Sequence, residues 1–450
     1  MMAKGKRMRL SLILSSIFVW TLLAFTHTEA QSEVPEVVNI RVGGVSTLSG
    51  PGAMWHGPGS RGEIDYFKHF NKQGGMEYKE PDGSTHRFLI DHKYEDCVYN
   101  PSKAATCYGR LRDWGAHMIT THGSSPASGF IALANRDRVP VIHIWSVHVD
   151  PAGYMENVND KYLLPNATTN VDTTAQLLNG FKRGVWDKKH PGKPFKVGII
   201  AFDNPPRRLY KGRKVKGFYK HVGIDLVGVE IVPISVTDVT VQLKRLHSAG
   251  ARTVVIDHIT SGAKVVLEDA ERIGIKDEMS FVTWFNVLRD FLAAPDLFHG
   301  IYNPYGPVCY YTKDRCKRAE EVAKIYLDTD KDYWEYRVDW MMHVHHVLDA
   351  AMLGVKSCLE KYGYDGFTRE GLRDSLFSLT EIDTGLCPKF TMDPTFPYTY
   401  PYIQVWRLDA HKKQWDKVGP IVAPGPSLYQ PRWNPSDDPK IVLTNYYQWP

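Results

Sequence analysis

Three stretches carry residue types that could do chemistry. Gly57-Pro58-Gly59-Ser60-Arg61-Gly62 spells G-x-G-x-x-G, the letters of a loop that lets backbone approach a pyrophosphate at a helix start. That use needs the glycines directly after a strand, and here Ser46 to His56 intervene, so a dinucleotide site is excluded. Asp339, His343, His346 and Asp349 recur at helical spacing and could line one face as metal ligands. The same stretch holds Trp340, Met341, Val344, Val347 and Leu348, so the preferred reading is a helix packed on a sheet, with no metal. The basic run Arg207, Arg208, Lys211, Arg213, Lys214, Lys216 and Lys220 reads as the solvated face of a helix. No G-x-S-x-G and no H-E-x-x-H occurs, so the chain shows no catalytic machinery and no enzyme is expected.

Polar and aromatic residues gather instead at the ends of apolar runs. Val38–Val45 leads into Ser46-Thr47-Leu48-Ser49-Gly50-Pro51, with Trp55 just beyond. Ala116–Thr121 leads into His122-Gly123-Ser124-Ser125-Pro126, and Val139–Trp145 into Ser146-Val147-His148. The second half offers Asp203-Asn204, His258-Ile259-Thr260 and Trp284-Phe285-Asn286. Each alone reads as a turn or cap. Six from both halves read as a cleft, because open parallel sheets bind ligands at the carboxyl ends of their strands.

The elements that must position these ends alternate. Strands are expected at Val38–Val45, Phe88–Tyr94, Ala116–Thr121 and Val139–Trp145, with helices over Gly62–Lys72, from the Asn100-Pro101 cap to Trp114, and over Ser128–Arg138. The rhythm restarts after residue 170, with strands at Lys196–Ala201, Asp225–Val232, Thr253–Asp257 and Phe281–Thr283. Helices fall near Val171–Trp186, Arg208–Val222, Val241–Ala249 and Gly262–Ile273. Alternation of this kind predicts an α/β fold of two doubly wound parallel-sheet lobes. A long helix near Tyr333–Lys361, a shorter one at Thr368–Leu379 and a strand at Tyr402–Leu408 come late, before a Pro-rich extension over 420–450.

At 450 residues, 43% apolar and 23% charged, the chain is long enough for two domains and too apolar for disorder. A net charge of +5 gives no concentrated basic surface, so no nucleic-acid partner is expected. Lys4, Lys6, Arg7 and Arg9, the apolar run Leu10–Phe25 and Thr28-Glu29-Ala30 read as an export signal over residues 1–30, too short for a span and followed by a cleavage site. Without a Cys before Cys97, the exported chain has no N-terminal lipid attachment point and is expected in the periplasm. Six cysteines suit an oxidising compartment. Of fifteen full pairings, short loops favour Cys97–Cys107 and Cys309–Cys316, leaving Cys358–Cys387.

The stretches IRVGGVSTLSGPGAMWHGPGSRGEIDYFKHFNKQGG (40–75) and DCVYNPSKAATCYGRLRDWGAHMITTHGSSPASGFIALANRDRVPVI (96–142) resemble type I periplasmic solute-binding proteins of ABC transporters. The similarity is to the branched-chain amino-acid family, the leucine/isoleucine/valine-binding group. It continues through KVGIIAFDNPPRRLYKGRKVKGFYK (196–220) and VQLKRLHSAGARTVVIDHITSGAKVVLEDAERIGI (241–275), and covers about 38–408. The resemblance implies two lobes joined by three crossings, closing on a small-molecule ligand that is passed to a membrane ABC permease. It implies no cofactor, and the chain is expected to be a monomer. Lobe one is then 36–166 with 306–385, and lobe two 167–305 with 386–412.

By position, Trp55 matches the aromatic wall of the family's pocket and Ser124 its hydroxyl for the ligand carboxylate. Ser146, Val147 and His148 fall at an Ala-Thr-Thr-like clamp, and Tyr210 near a common Tyr-Gly. His258 to Thr260 and Trp284 to Asn286 fall where the family has an aromatic and an acidic residue for an ammonium. Thr283-Trp284-Phe285-Asn286 has no carboxylate, and an ammonium buried without an anion costs several kcal/mol. Trp55, Trp145 and Trp284 offer stacking surface, while Ser124, Ser125, Ser146, His148 and Asn286 could hold a carboxylate or hydroxyl. The expected ligand is therefore a small aromatic or apolar carboxylate. Amino acids stay open if Asp203 or Asp257 supplies the anion, and so does a sensor that passes ligand state to a signalling partner. A secreted hydrolase or metalloenzyme using His343 and His346 is the rival from another class.

Overall fold

The computed structural model describes residues 36–50, 52–144, 162–165, 170–203, 205–284, 288–305, 309–386, 388–390 and 403–422. The expected export signal over residues 1–30 and Cys387 lie outside them. The first sheet is built from β1 (Val37–Ser46), β2 (Met76–Lys79), β3 (Thr85–Asp96), β4 (Met118–Thr121), β5 (Val141–His143) and β6 (Leu163–Pro165), in the order β2-β3-β1-β4-β5-β6. All neighbours are parallel except β2 and β3. β1 lies inside the sheet, and its last five residues, Val42 to Ser46, are all buried, as a parallel strand covered on both faces must be.

Helix α1 (Ala53–Lys72) starts nine residues earlier than the periodicity predicts and runs through Pro58. Two of its glycines, Gly59 and Gly62, read as breakers but serve close packing. A Cβ on Gly62 would lie 2.1 Å from the sulfur of Met341, and one on Gly59 2.7 Å from Nδ1 of His122. Helix α2 (Pro101–Asp113) has the predicted cap, with Asn100 accepting from the Lys103 amide at 3.0 Å. Helix α3 (Ser124–Arg136) follows β4 directly. The hairpin strand β2 and the short β6 were not legible as strands.

Helix α4 (Asn170–Phe181), extended by a π-turn over Lys182–Trp186, leads into the second sheet. That sheet holds β7 (Lys196–Phe202), β8 (Asp225–Val232), β9 (Thr253–Asp257), β10 (Ser280–Thr283), β11 (Tyr302–Tyr305), β12 (Ile403–Asp409) and β13 (Gln414–Val422). Its order is β13-β12-β11-β10-β9-β7-β8, parallel up to β11 and antiparallel across β12 and β13. Helices α5 (Arg213–His221), α6 (Thr240–Ser248) and α7 (Thr260–Arg272) belong to this lobe. Separate apolar clusters, one around Leu243, Val266 and Phe281 and one around Leu178, Phe218 and Trp284, fill the space beside the sheet.

Helices α8 (Lys317–Thr329), α9 (Val338–Tyr362) and α10 (Arg369–Phe377) return to the first lobe, where α9 packs on α1, α8, α10 and β2. The chain re-enters the second sheet at β12. Two α/β lobes result. Among the described residues no helix is long and apolar enough to cross a membrane.

The expected disulfides require correction. Cys97, Cys107, Cys309, Cys316 and Cys358 are free thiols. The Cys97 thiol donates to the Ser46 carbonyl at 2.9 Å and the Cys309 thiol to Oδ1 of Asp339 at 3.3 Å. Cys107 and Cys358 are buried in helices, where a thiol behaves as a small apolar group. Neither Cys97–Cys107 nor Cys309–Cys316 is formed.

Candidate functional site

The carboxyl ends of β1, β4 and β5 and the first turn of α1 converge in the first lobe. Gly123, between β4 and α3, has φ +89°, and a Cβ there would lie 2.9 Å from the imidazole of His56 and from the ring of Tyr99. His56 stacks on Tyr99 at 5.0 Å between ring centroids. Ser125 donates to the Tyr99 carbonyl at 3.0 Å, which ties the start of α3 to the backbone of the same residue. His122 and His143 sit at the strand ends, both buried.

Glu63 of α1 underlies this face. Fully buried, it accepts hydrogen bonds from Nε2 of His92 and Nε2 of His122, each at 3.0 Å, and from the Thr120 hydroxyl. Burial alone would raise its pKa, but the two histidine hydrogen bonds and charges outweigh it and hold the carboxyl at about 2. Burial pushes His56 down to about 3, with nearby His122, His143 and Arg207 acting in the same direction. Arg207 belongs to the second lobe, so its charge reaches across to a histidine of the first.

In the second lobe, Asp257 at the end of β9 is fully buried and receives Arg207, with a guanidinium nitrogen 2.7 Å from Oδ1. Its other oxygen accepts from the Tyr210 hydroxyl at 3.1 Å. Tyr210 also bonds the Thr174 hydroxyl at 2.7 Å, and Thr174 accepts from the indole N–H of Trp284 at 2.8 Å. Arg207 further lies over the ring of Phe202, 3.8 Å from its centroid. One continuous chain therefore links Trp284, Thr174, Tyr210, Asp257 and Arg207 across the ends of β7, β9 and β10.

The structure brings Tyr210 and Trp284 together, though Trp284 is only 7% exposed and is packed among core residues rather than presented as an open stacking face. His258 turns away, its Nε2 3.2 Å from the Pro233 carbonyl. Thr260 opens α7 and faces Asp290 at 3.5 Å. Trp55 lies in the first turn of α1 and Ser124 at the start of α3. Trp145, Ser146, His148 and Asn286 fall outside the described residues.

Arg207, Thr174, His56 and Glu63 were missed as site residues. Arg207 was absorbed into the basic run. Arg208 pairs with exposed Asp203 at 2.6 Å and Lys211, Lys216 and Lys220 are exposed, as expected, but the Arg207 side chain is only 13% exposed. Its position five residues beyond Phe202, at a strand end, was the usable signal.

The α9 residues that suggested a metal are dispersed among separate partners. His343 donates from Nε2 to the Ile144 carbonyl at 2.8 Å, and His346 Nδ1 bonds the Thr384 hydroxyl at 2.6 Å. Asp339 accepts from the Tyr310 amide at 2.7 Å, and Asp349 from Arg318 at 2.8 Å and Tyr66 at 2.9 Å. Among the described residues, no group of three or more His, Cys, Asp or Glu is arranged to hold a metal ion.

Comparison with known proteins agrees with this architecture. A family model described as periplasmic binding protein matches residues 39–400. The chain is similar to a branched-chain amino-acid ABC transporter protein from Thermus thermophilus solved with bound valine, at 16% identity and TM-score 0.65, over 87% of this chain and 97% of that one. It is similar to a fatty-acid ABC transporter substrate-binding protein from Thermomonospora curvata, at 17% identity and TM-score 0.65, over 88% and 94%. It also resembles a type 1 periplasmic binding protein from Bordetella pertussis Tohama I, at 13% identity and TM-score 0.63, over 85% and 100%. No curated protein matches.

Proposed function

The chain belongs to the periplasmic binding protein family, and we propose that it is the extracytoplasmic receptor of an ABC uptake transporter, closing its lobes around one small organic carboxylate without altering it. The observation that carries the ligand class is the state of the acids near the cleft. Asp257 is taken by Arg207, Asp203 by Arg208 and Glu63 by two histidines. Among these acids none is left over for an ammonium, and that absence favours a ligand whose polar group is a carboxylate. Helix α3, beginning directly after β4, adds backbone N–H groups suited to a carboxylate.

Phe202, Tyr99 and the edge of Trp284 supply apolar surface around the charged groups, which suits an aromatic or aliphatic body. The hinge lies where the chain changes lobes, with lobe one at 36–166 and 306–385 and lobe two at 167–305 and 386–412. Residues 1–30 direct the chain across the membrane, and a permease takes the solute from the closed form. An amino-acid ligand is the second reading, supported by the likeness to a structure holding valine.

A thermal-shift screen of aromatic acids, aliphatic acids and amino acids tests the proposal, because a ligand bound only by the folded state raises the unfolding midpoint. Aromatic or aliphatic acids should raise it, with the solute recovered unchanged. A shift confined to amino acids would replace the carboxylate reading, and conversion of the solute would overturn the receptor.

A further inference from the structure

A cavity of about 750 Å³ opens at the other end of the second sheet, where β7, β9, β10 and β11 begin. Lys196 is the first residue of β7 and Arg252 precedes β9; Arg407 comes from β12, and Lys189 and Lys193 from the chain after the π-turn. None of these five cations has a carboxylate within ion-pair distance among the described residues. Lys196, Arg252 and Arg407 are half-buried, so their mutual repulsion is only partly screened by water. Arg252 is held in place by donating to the Ala251 carbonyl at 2.8 Å. Of the acids on the wall, Glu278 is engaged by His247 at 2.8 Å, and Asp277 is exposed. Beneath the cations the wall is apolar and buried, formed by Trp186, Met279 and Phe281.

The geometry points to a second ligand site here, for a small organic anion carrying two or more negative charges on an apolar or aromatic body. The volume falls in the range of small-molecule pockets, about 300–1,000 Å³. Cations converging on a concave, low-dielectric wall focus positive potential into it. They approach from two sides, Lys189 and Lys193 from the preceding loop and Arg252 and Arg407 from the sheet, so a single charge satisfies only one side. The apolar floor selects against bare inorganic anions, which would leave Trp186 and Phe281 wet. This site is separate from the cleft: the seven residues of β7 put roughly 20 Å between Lys196 and Phe202.

Calorimetric titration of the full chain with naphthalene-1,5-disulfonate at low salt tests the assignment. One saturable site is expected, weakened by added salt and at least tenfold weaker in Lys196→Gln/Arg407→Gln, with inorganic pyrophosphate binding less tightly. Lysine acetylation of the unmodified chain reads the location independently, the probe protecting Lys189, Lys193 and Lys196. The proposal is overturned by the absence of saturable binding, by undiminished affinity in the double variant, by pyrophosphate binding as tightly as the disulfonate, or by protection at Lys211, Lys216 and Lys220 instead.

Discussion

Arg207 places a guanidinium nitrogen 2.7 Å from Oδ1 of the fully buried Asp257. Removing either partner has a different consequence for the ligand. Arg207→Gln leaves a buried carboxylate uncompensated, which destabilises by about 3–5 kcal/mol, and should weaken carboxylate binding at least tenfold. Asp257→Asn also lowers stability, yet leaves the guanidinium to the ligand, so carboxylate affinity should hold or rise. If Asp257 instead anchors an ammonium, Asp257→Asn abolishes binding. Titration of both variants separates the two.

Glu63 joins α1 to β3 and β4 through His92, His122 and Thr120. It is fully buried, so Glu63→Ala leaves two imidazoles without their acceptor. A loss of about 3–5 kcal/mol in urea unfolding is expected, and a loss below about 1 kcal/mol, the size of an exposed pair, would contradict the role.

Acid should unfold the protein earlier than ordinary carboxylate titration would. Burial holds His56, His143 and His343 at about 3 and His117 at about 4, against 6.5 in an unfolded chain. The unfolded state then binds more protons than the folded one below 6.5, so stability falls as pH falls from 6.5 toward 3. Glu63, at about 2 against 4.5, acts in the same direction below pH 4.5. Asp339, raised to about 6 by burial, opposes this between 6 and 3.8, because its folded form keeps a proton that the unfolded form releases. The histidines outnumber it. Urea midpoints should drop between pH 7 and 5, and His343→Gln should flatten the slope; a level wild-type profile would refute the assignment.

The cysteines give a chemical check. Burial pushes Cys97 and Cys358 up to about 11 and Cys309 well above its ordinary value. Iodoacetamide should therefore label none of these three quickly in the native protein, and all of them after unfolding without reductant. A Cys97–Cys107 peptide pair resistant to alkylation would contradict the free thiols.

The alternation of strands and helices was legible because parallel strands buried on both faces are unbroken apolar runs, as at Val197–Ile200 and Val254–Ile256. The start of α1 was not. Gly57, Pro58 and Gly59 carry local signals of a break, whereas the close approaches that use Gly59 and Gly62 come from His122 and Met341, which are distant in sequence. Strand β11 carries Pro304 inside it and pairs with β12, which arrives about a hundred residues later. At the site, Trp284 was named as a strand end, Tyr210 by resemblance and Asp257 as a spare anion, but not the order in which Thr174 connects them. Arg207 was hidden among cations that are exposed, since composition cannot say which member of a basic run meets a buried acid.

The central claim is that two lobes close on an intact solute, and small-angle scattering with and without the best-ranked carboxylate tests it most directly. A fall in radius of gyration that saturates at one solute per chain is predicted, with that solute then recovered unchanged. An unchanged radius at saturating solute would contradict closure.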